Sequence, residues 1–289
     1  MGLLLGFDYG GTKIDIGLGT ESGEILKTSR IKVADYPQLD NLIAASLEAG
    51  RELAVGETLC AVGVSTMGIT HADHVDLAPN VPGWSTLHLP AVFEEAFAPA
   101  PIFFENDVRS ACLAESLWGS LKGVRHAAYL NLGTGIAIAF VIDGAVYTGT
   151  HGAAGEIAYL WRYGEAGFVD GRAPFEEQFG GVGIDRTIRH RFPPLKSLHD
   201  LFEDGSQAER EGFLAETFSE IARRVGHILL AFDVERVAVG GGIARRFDTF
   251  APIFREEWQR HLPFAPELVK SLYVDRAGLH GALAVAVRR

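Results

Sequence analysis

Five short runs in this chain combine residue types that can do phosphate or proton chemistry. The first is Asp8-Tyr9-Gly10-Gly11-Thr12-Lys13, directly after an apolar run. Paired glycines let a backbone approach a phosphate closely, and the Thr12 hydroxyl and Lys13 ammonium add donors. Asp8, at the end of the apolar run, can sit near a phosphate-bound metal ion. The second run, Leu132-Gly133-Thr134-Gly135, repeats the pattern more than a hundred residues later. The third, Val239-Gly240-Gly241-Gly242-Ile243, links a strand pattern to a helical one, a junction where a flat or anionic ligand can press on backbone. The fourth is Phe104-Glu105-Asn106-Asp107-Val108. There Asp107 opens a helical pattern, as an N-cap or as a general base at a strand's C-terminal end. The fifth, His151-Gly152-Ala153-Ala154-Gly155-Glu156-Ile157, surrounds a carboxylate with small residues, and Glu177 follows further on. Such a setting suits a polyol held by hydrogen bonds to Glu156.

Each run has a plainer reading as a tight turn, a helix cap or a solvated charge. The elements that must position the runs narrow the choice. Apolar spacing predicts strands over 3–9, 14–19 and 24–33, a three-strand meander whose first turn holds Gly10 and Gly11. A helix over 38–53, a strand over 60–65, a long loop over 66–86, a helix over 90–97 and a strand over 102–104 follow. Past Asp107 comes a helix over 108–118, then a second meander over 127–132, 136–142 and 145–147, closed by the hairpin signal Asp143-Gly144. The stripe Leu214, Phe218, Ile221, Val225, Ile228, Phe232 predicts a long helix over 207–232. A strand over 234–239, a helix over 243–261, a strand near 268–274 and a helix over 279–287 complete the chain. Two glycine turns at the same place in two similar halves make a two-lobed phosphate site the stronger reading.

Composition bounds the rest. The chain has 289 residues, with 26 Lys and Arg against 37 Asp and Glu, a net charge of −11. That length suggests about two domains. The acidic balance argues against nucleic acid or an anionic membrane as partner. Two cysteines make neither a disulfide framework nor a cysteine-rich metal site, which favours a reducing compartment. The apolar start lacks a basic leader and ends at Asp8, so a cytoplasmic protein is expected. His71 and His74 could share a metal, but two imidazoles without a third ligand are ordinary loop residues. Arg223-Arg224 and Arg245-Arg246 read as helix-surface charges.

In this order and spacing, the five runs resemble the ROK family, which comprises sugar kinases and sugar-responsive repressors. The resemblance spans Gly6 to about Ala286. It implies an α/β, two-domain actin-like ATPase (ribonuclease H-like) fold with an interdomain cleft. A small N-terminal domain over 1–107, completed by a C-terminal helix over about 276–289, would face a large domain over 108–275. It further implies ATP-dependent phosphorylation of a hexose: glucose first, or an N-acetylhexosamine, mannose or fructose, with polyphosphate as an alternative donor. Asp107 matches the base. Asn80, Asn106, Asp107, Glu156 and Glu177 match sugar-binding positions. Gly10, Gly11, Thr12, Lys13, Gly133, Thr134 and Gly135 would hold the ATP phosphates, Gly241 and Gly242 the adenosine, with Mg²⁺ near Asp8. A homodimer is expected. A repressor would need a helix-turn-helix ahead of Asp8, where no room is expected for one. Many members bind a structural zinc through one His and three Cys. Tyr159, Phe168, Asp170 and Phe175 stand at those positions here, so no zinc is expected. An aromatic cluster of Tyr159, Trp161, Tyr163, Phe168, Phe175 and Phe179 would replace it.

Overall fold

The computed structural model describes residues 2–71, 74–76, 83–161, 169, 171–203 and 208–287. The elements run β1 (Leu3–Tyr9), β2 (Lys13–Gly19), β3 (Ile25–Lys32), α1 (Leu39–Leu53), β4 (Leu59–Thr66), β5 (Ile69–Thr70), β6 (Val75–Asp76), α2 (Leu89–Phe97), β7 (Ile102–Asn106) and α3 (Asp107–Leu117). Then come β8 (Ala127–Leu132), β9 (Ile136–Ile142), β10 (Ala145–Tyr147), α4 (Pro174–Phe179), α5 (Gly181–Arg191), α6 (Leu198–Glu203), α7 (Ala208–Phe232), β11 (Arg236–Gly240), α8 (Phe247–His261), β12 (Glu267–Lys270) and α9 (Ala277–Val287).

The chain divides into two compact units. The first holds residues 1–122, 148–153 and 276–289; the second holds 123–147 and 154–275. The expected boundary at Asp107 thus shifts to about residue 122. The reason is packing: α3 lies along α9, and the two backbones come so close at Gly281 that a Cβ there would press on Ser110. Sequence pattern shows where a helix begins, not which neighbour it covers.

The sheet of the first unit has the order β3-β2-β1-β4-β7. β1 is antiparallel to β2 and parallel to β4, so it lies in the sheet interior. Its residues Leu4, Leu5 and Phe7 are buried, as expected of a strand covered on both faces. α9 supplies part of that cover. Glycines on the strands allow its close approach: a side chain at Gly63 would overlap the Ala282 carbonyl, and one at Gly17 would run into Leu279. Elsewhere in this unit Phe7, Tyr9, Trp84, Phe93 and Phe97 form an aromatic cluster, with Phe7 edge-on to Phe93 at 5.0 Å.

The second unit repeats the plan with the order β10-β9-β8-β11-β12, again two antiparallel and two parallel pairings. α7 and α8 pack together there, with Phe218 stacked on Phe250 at 4.8 Å and Trp258 Nε1 donating to the Ala222 carbonyl at 2.8 Å.

Several expectations change in detail. The loop over 66–86 contains the β5–β6 hairpin and a 3-10 turn at Trp84–Thr86. The buried stripe of α7 runs through Phe213, Phe218, Ile221, Val225 and Leu229, while Leu214, Ile228 and Phe232 pack only at its margin. The helix expected from 243 begins at Phe247, because Gly241 at φ +81° turns the chain into a 3-10 segment over Gly242–Arg246. α4, α5 and α6 lie where no helix was expected. Among the described residues no helix is long and apolar enough to cross a membrane.

Candidate active site

In the first unit, Gly10, Gly11 and Thr12 form the loop between β1 and β2, closed by Gly10 N–H donating to the Lys13 carbonyl at 3.0 Å. Lys13 opens β2, and its Nζ reaches Asp15 Oδ2 at 2.7 Å. Arg30 Nε grips the other Asp15 oxygen at 2.5 Å. Burial pushes the Asp15 carboxyl up, but the hydrogen bonds from Arg30 and Lys13 prevail and hold it below the usual value. Asp8, at the end of β1, behaves oppositely. Burial, then the negative charges of Asp107 and Asp15, raise its pKa to about 7, against a smaller pull from Lys13. α9 closes on it so tightly that a Cβ at Gly278 would overlap the Asp8 carboxylate.

The run from Glu105 to Arg109 is built around a buried ion pair. Arg109 Nε donates to Glu105 Oε1 at 2.7 Å, and both side chains are less than a tenth exposed. Arg109 Nη1 also donates to the Gly152 carbonyl at 2.5 Å, and Glu105 Oε1 accepts from the Asn106 N–H at 2.9 Å. Asn106 is the N-cap of α3: its Oδ1 accepts from the Val108 and Arg109 N–H groups. The cap role expected for Asp107 therefore belongs to its neighbour. Asn106 has the extended backbone a cap needs, whereas Asp107 is already the first helical residue. Asp107 Oδ1 accepts from the Val108 N–H at 2.9 Å. Asn106 Nδ2 donates to the Gly68 carbonyl at 3.3 Å, fastening the foot of the β5–β6 hairpin beside Asp107. Asn80 lies outside the described residues.

In the second unit, Gly133, Thr134 and Gly135 join β8 to β9. Their carbonyls are used by the start of α5: Gly181 N–H donates to Gly133 at 2.9 Å and Val182 N–H to Thr134 at 3.3 Å. These are donors that a helix's first turn leaves without partners of its own. Glu176 Oε2 accepts from the Ile136 N–H at 3.2 Å and fills the space a Cβ on Gly135 would need. Gly241 lies alongside: a Cβ on Gly133 would stand 3.9 Å from its Cα. Gly242 follows it into the 3-10 turn. The second and third glycine runs are thus brought together.

Glu156, half-buried, precedes a 3-10 turn at Ile157–Tyr159. It follows Gly155, which has φ +91° and no room for a Cβ against the Ile138 carbonyl. Glu177 lies in α4, where Arg172 grips its carboxylate at two points, 2.5 and 2.7 Å. That fork holds Glu177 below the usual carboxylate range. Among the residues expected at the zinc positions of relatives, Phe175 is buried against Phe179 at 5.1 Å and Tyr159 is half-buried. Trp161 is 69% exposed, so it does not join the expected aromatic cluster. Phe168, Asp170 and Tyr163 lie outside the described residues.

Asp15, Arg30, Glu105, Arg109, Arg172 and Glu176 are polar residues missed in sequence. The i, i+4 spacing of Glu105 and Arg109 is a signal for that pair. Nothing in Glu176-Glu177 tells which carboxylate turns to the glycine loop.

The ROK family model matches residues 4–289, and the chain belongs to that family. It is 29% identical to the glucokinase of Streptomyces coelicolor, over 99% of this chain and 98% of that protein. It is 28% identical to the N-acetyl-D-glucosamine kinase of Vibrio cholerae, over 98% of this chain and 99% of that one. The structure of the ROK hexokinase from Thermus thermophilus superposes with a TM-score of 0.82 at 26% identity, covering 98% of this chain and 97% of that one. The repeated sheets are those of the actin-like ATPase fold.

Proposed function

We propose that this protein is a sugar kinase that transfers the terminal phosphoryl group of ATP to a hydroxyl of a hexose, glucose or an N-acetylhexosamine. The observation that carries the reading is Asp107, at the first position of α3, whose negative charge helps raise the buried Asp8, with Asn106 as the N-cap before it. A carboxylate at this strand-to-helix junction is a group that can take up a proton from a bound hydroxyl. Asp107 accepts the proton of the attacking hydroxyl, and Asn106 and Glu156 orient the sugar by hydrogen bonds. Glu177 contributes through its Arg172 fork.

The chain's residues suit Mg²⁺–ATP. Asp8, Asp15 and Asp107 are hard oxygen donors, and the raised Asp8 marks a place where negative charge accumulates. Asp8 would hold the ion, which supplies charge neutralisation for the phosphates when bound. In this reading Gly10, Gly11, Thr12, Lys13, Gly133, Thr134 and Gly135 are the phosphate-binding residues, and Gly241 and Gly242 the nucleoside-binding ones. Lys13 and Thr12 donate to phosphate oxygens, so the chain's part in catalysis is positioning and charge stabilisation.

The test is coupled turnover with glucose, N-acetylglucosamine, mannose and fructose, with ATP or polyphosphate as donor. ATP-dependent phosphorylation of at least one hexose is expected. Asp107→Asn should keep the fold and lose turnover by at least about a hundredfold. No turnover on any hexose would sink the kinase reading, and near-normal turnover by Asp107→Asn would remove Asp107 as base.

A further inference from the structure

The β5–β6 hairpin pairs Ile69 with Asp76 and Thr70 with Val75 in antiparallel register. The pairing continues into the turn, where His71 N–H donates to the His74 carbonyl at 2.8 Å. Directly opposed residues of an antiparallel pair share a face, and so do residues two apart on one strand. His71 opposite His74, and Asp76 two residues beyond, therefore stand on one face of the hairpin.

The side chains meet there. His71 Nε2 lies 3.1 Å from Asp76 Oδ2, and His74 Nε2 lies 3.6 Å from Asp76 Oδ1. The two imidazole rings stack at 4.4 Å and 17°. One ligand atom from each residue falls within 4.8 Å of the other two. Ligands around a tetrahedral ion with bonds of about 2.1 Å stand roughly 3.4 Å apart, so small turns of these part-exposed side chains complete the set. The third ligand absent from the sequence argument on His71 and His74 is thus supplied by strand pairing.

We propose that His71, His74 and Asp76 form a divalent transition-metal site, with water completing the coordination. Two imidazoles, which are borderline donors, with one carboxylate suit Zn²⁺ and, along the affinity series, Ni²⁺ and Cu²⁺. Mg²⁺ prefers an all-oxygen shell and is not expected to compete. None of these three residues is among those assigned above to the phosphates, to Mg²⁺ or to the expected zinc positions. A bound ion would tie β5 to β6 across their turn, in a hairpin whose foot is already fastened at Gly68 by Asn106.

The test is equilibrium dialysis of the metal-stripped, tag-free full chain against micromolar Zn²⁺ in millimolar Mg²⁺, with metal analysis. One equivalent should be retained. His71→Ala, His74→Ala and Asp76→Asn should each weaken binding by more than about tenfold. His126→Ala, at an exposed His–Asp pair in the second unit, should bind like the unaltered chain. On the unaltered chain, the electron paramagnetic resonance spectrum of Cu²⁺ should show coupling to imidazole nitrogen, a readout independent of any variant. No retained Zn²⁺, or retention unchanged in the His71 and His74 variants, would overturn the proposal.

Discussion

The two glycine loops sit at the same point of two sheets with the same topology, and they are equipped differently. Around Gly10–Thr12 the chain gathers charge: Asp8, Lys13, Asp15, Arg30 and Asp107. Around Gly133–Gly135 it gathers backbone: Gly241, Gly181 and the start of α5, with Glu176 as brace. A repeated turn therefore does not mean a repeated role. The first loop lies among ionisable side chains, and the second is walled by main chain and a single carboxylate.

The largest expected effect breaks the charged side. Arg109→Ala leaves Glu105 buried without its guanidinium and frees the Gly152 carbonyl, so urea melts should show a loss of about 3–5 kcal/mol. The double variant Glu105→Gln, Arg109→Met should lose less than this single change, because no unpaired charge remains. If the double variant is the weaker one, the pair is not what holds this region.

A second measurement sharpens the contrast through pH. Asp8 has a folded pKa of about 7 against an ordinary 3.8, so the folded state binds its proton more tightly than the unfolded chain. Its contribution is fully present below pH 3.8 and is lost as pH rises through about 7. In nucleotide-free, Mg²⁺-free protein, this loss should amount to a few kcal/mol. Asp8→Asn should flatten the decline over that window. Equal pH dependence in both proteins would remove Asp8 as its source.

The smallest of the three acts on the second loop. Gly135→Ala places a Cβ where the Glu176 carboxylate lies, which should cost about 1–3 kcal/mol of stability. It should also raise the KM for ATP more than the KM for sugar. Gly11→Ala meets only the Met67 sulfur, at 3.9 Å, and should be milder in stability. Equal losses at Gly135 and Gly11 would mean that the two loops are not packed differently after all.

Sequence alone determined the strands of the two five-stranded sheets, though not β5 and β6, because alternation and apolar runs are local properties of a chain. It also determined the two meanders, the glycine turns between their strands, and the family that five ordered motifs indicate. Tertiary structure decided which atoms those motifs meet. Asp107 and Asn106 are neighbours of similar shape, and only backbone geometry gives the cap to Asn106. Glu176 and Glu177 are identical in type, and only the winding of α4 sends one to the glycine loop and the other to Arg172. His71 and His74 gain Asp76 through the register of two short strands. In each case a side chain's role is set by partners brought near through folding, and hydrogen bonds and charge effects act over a few ångströms of space, whatever the separation along the chain.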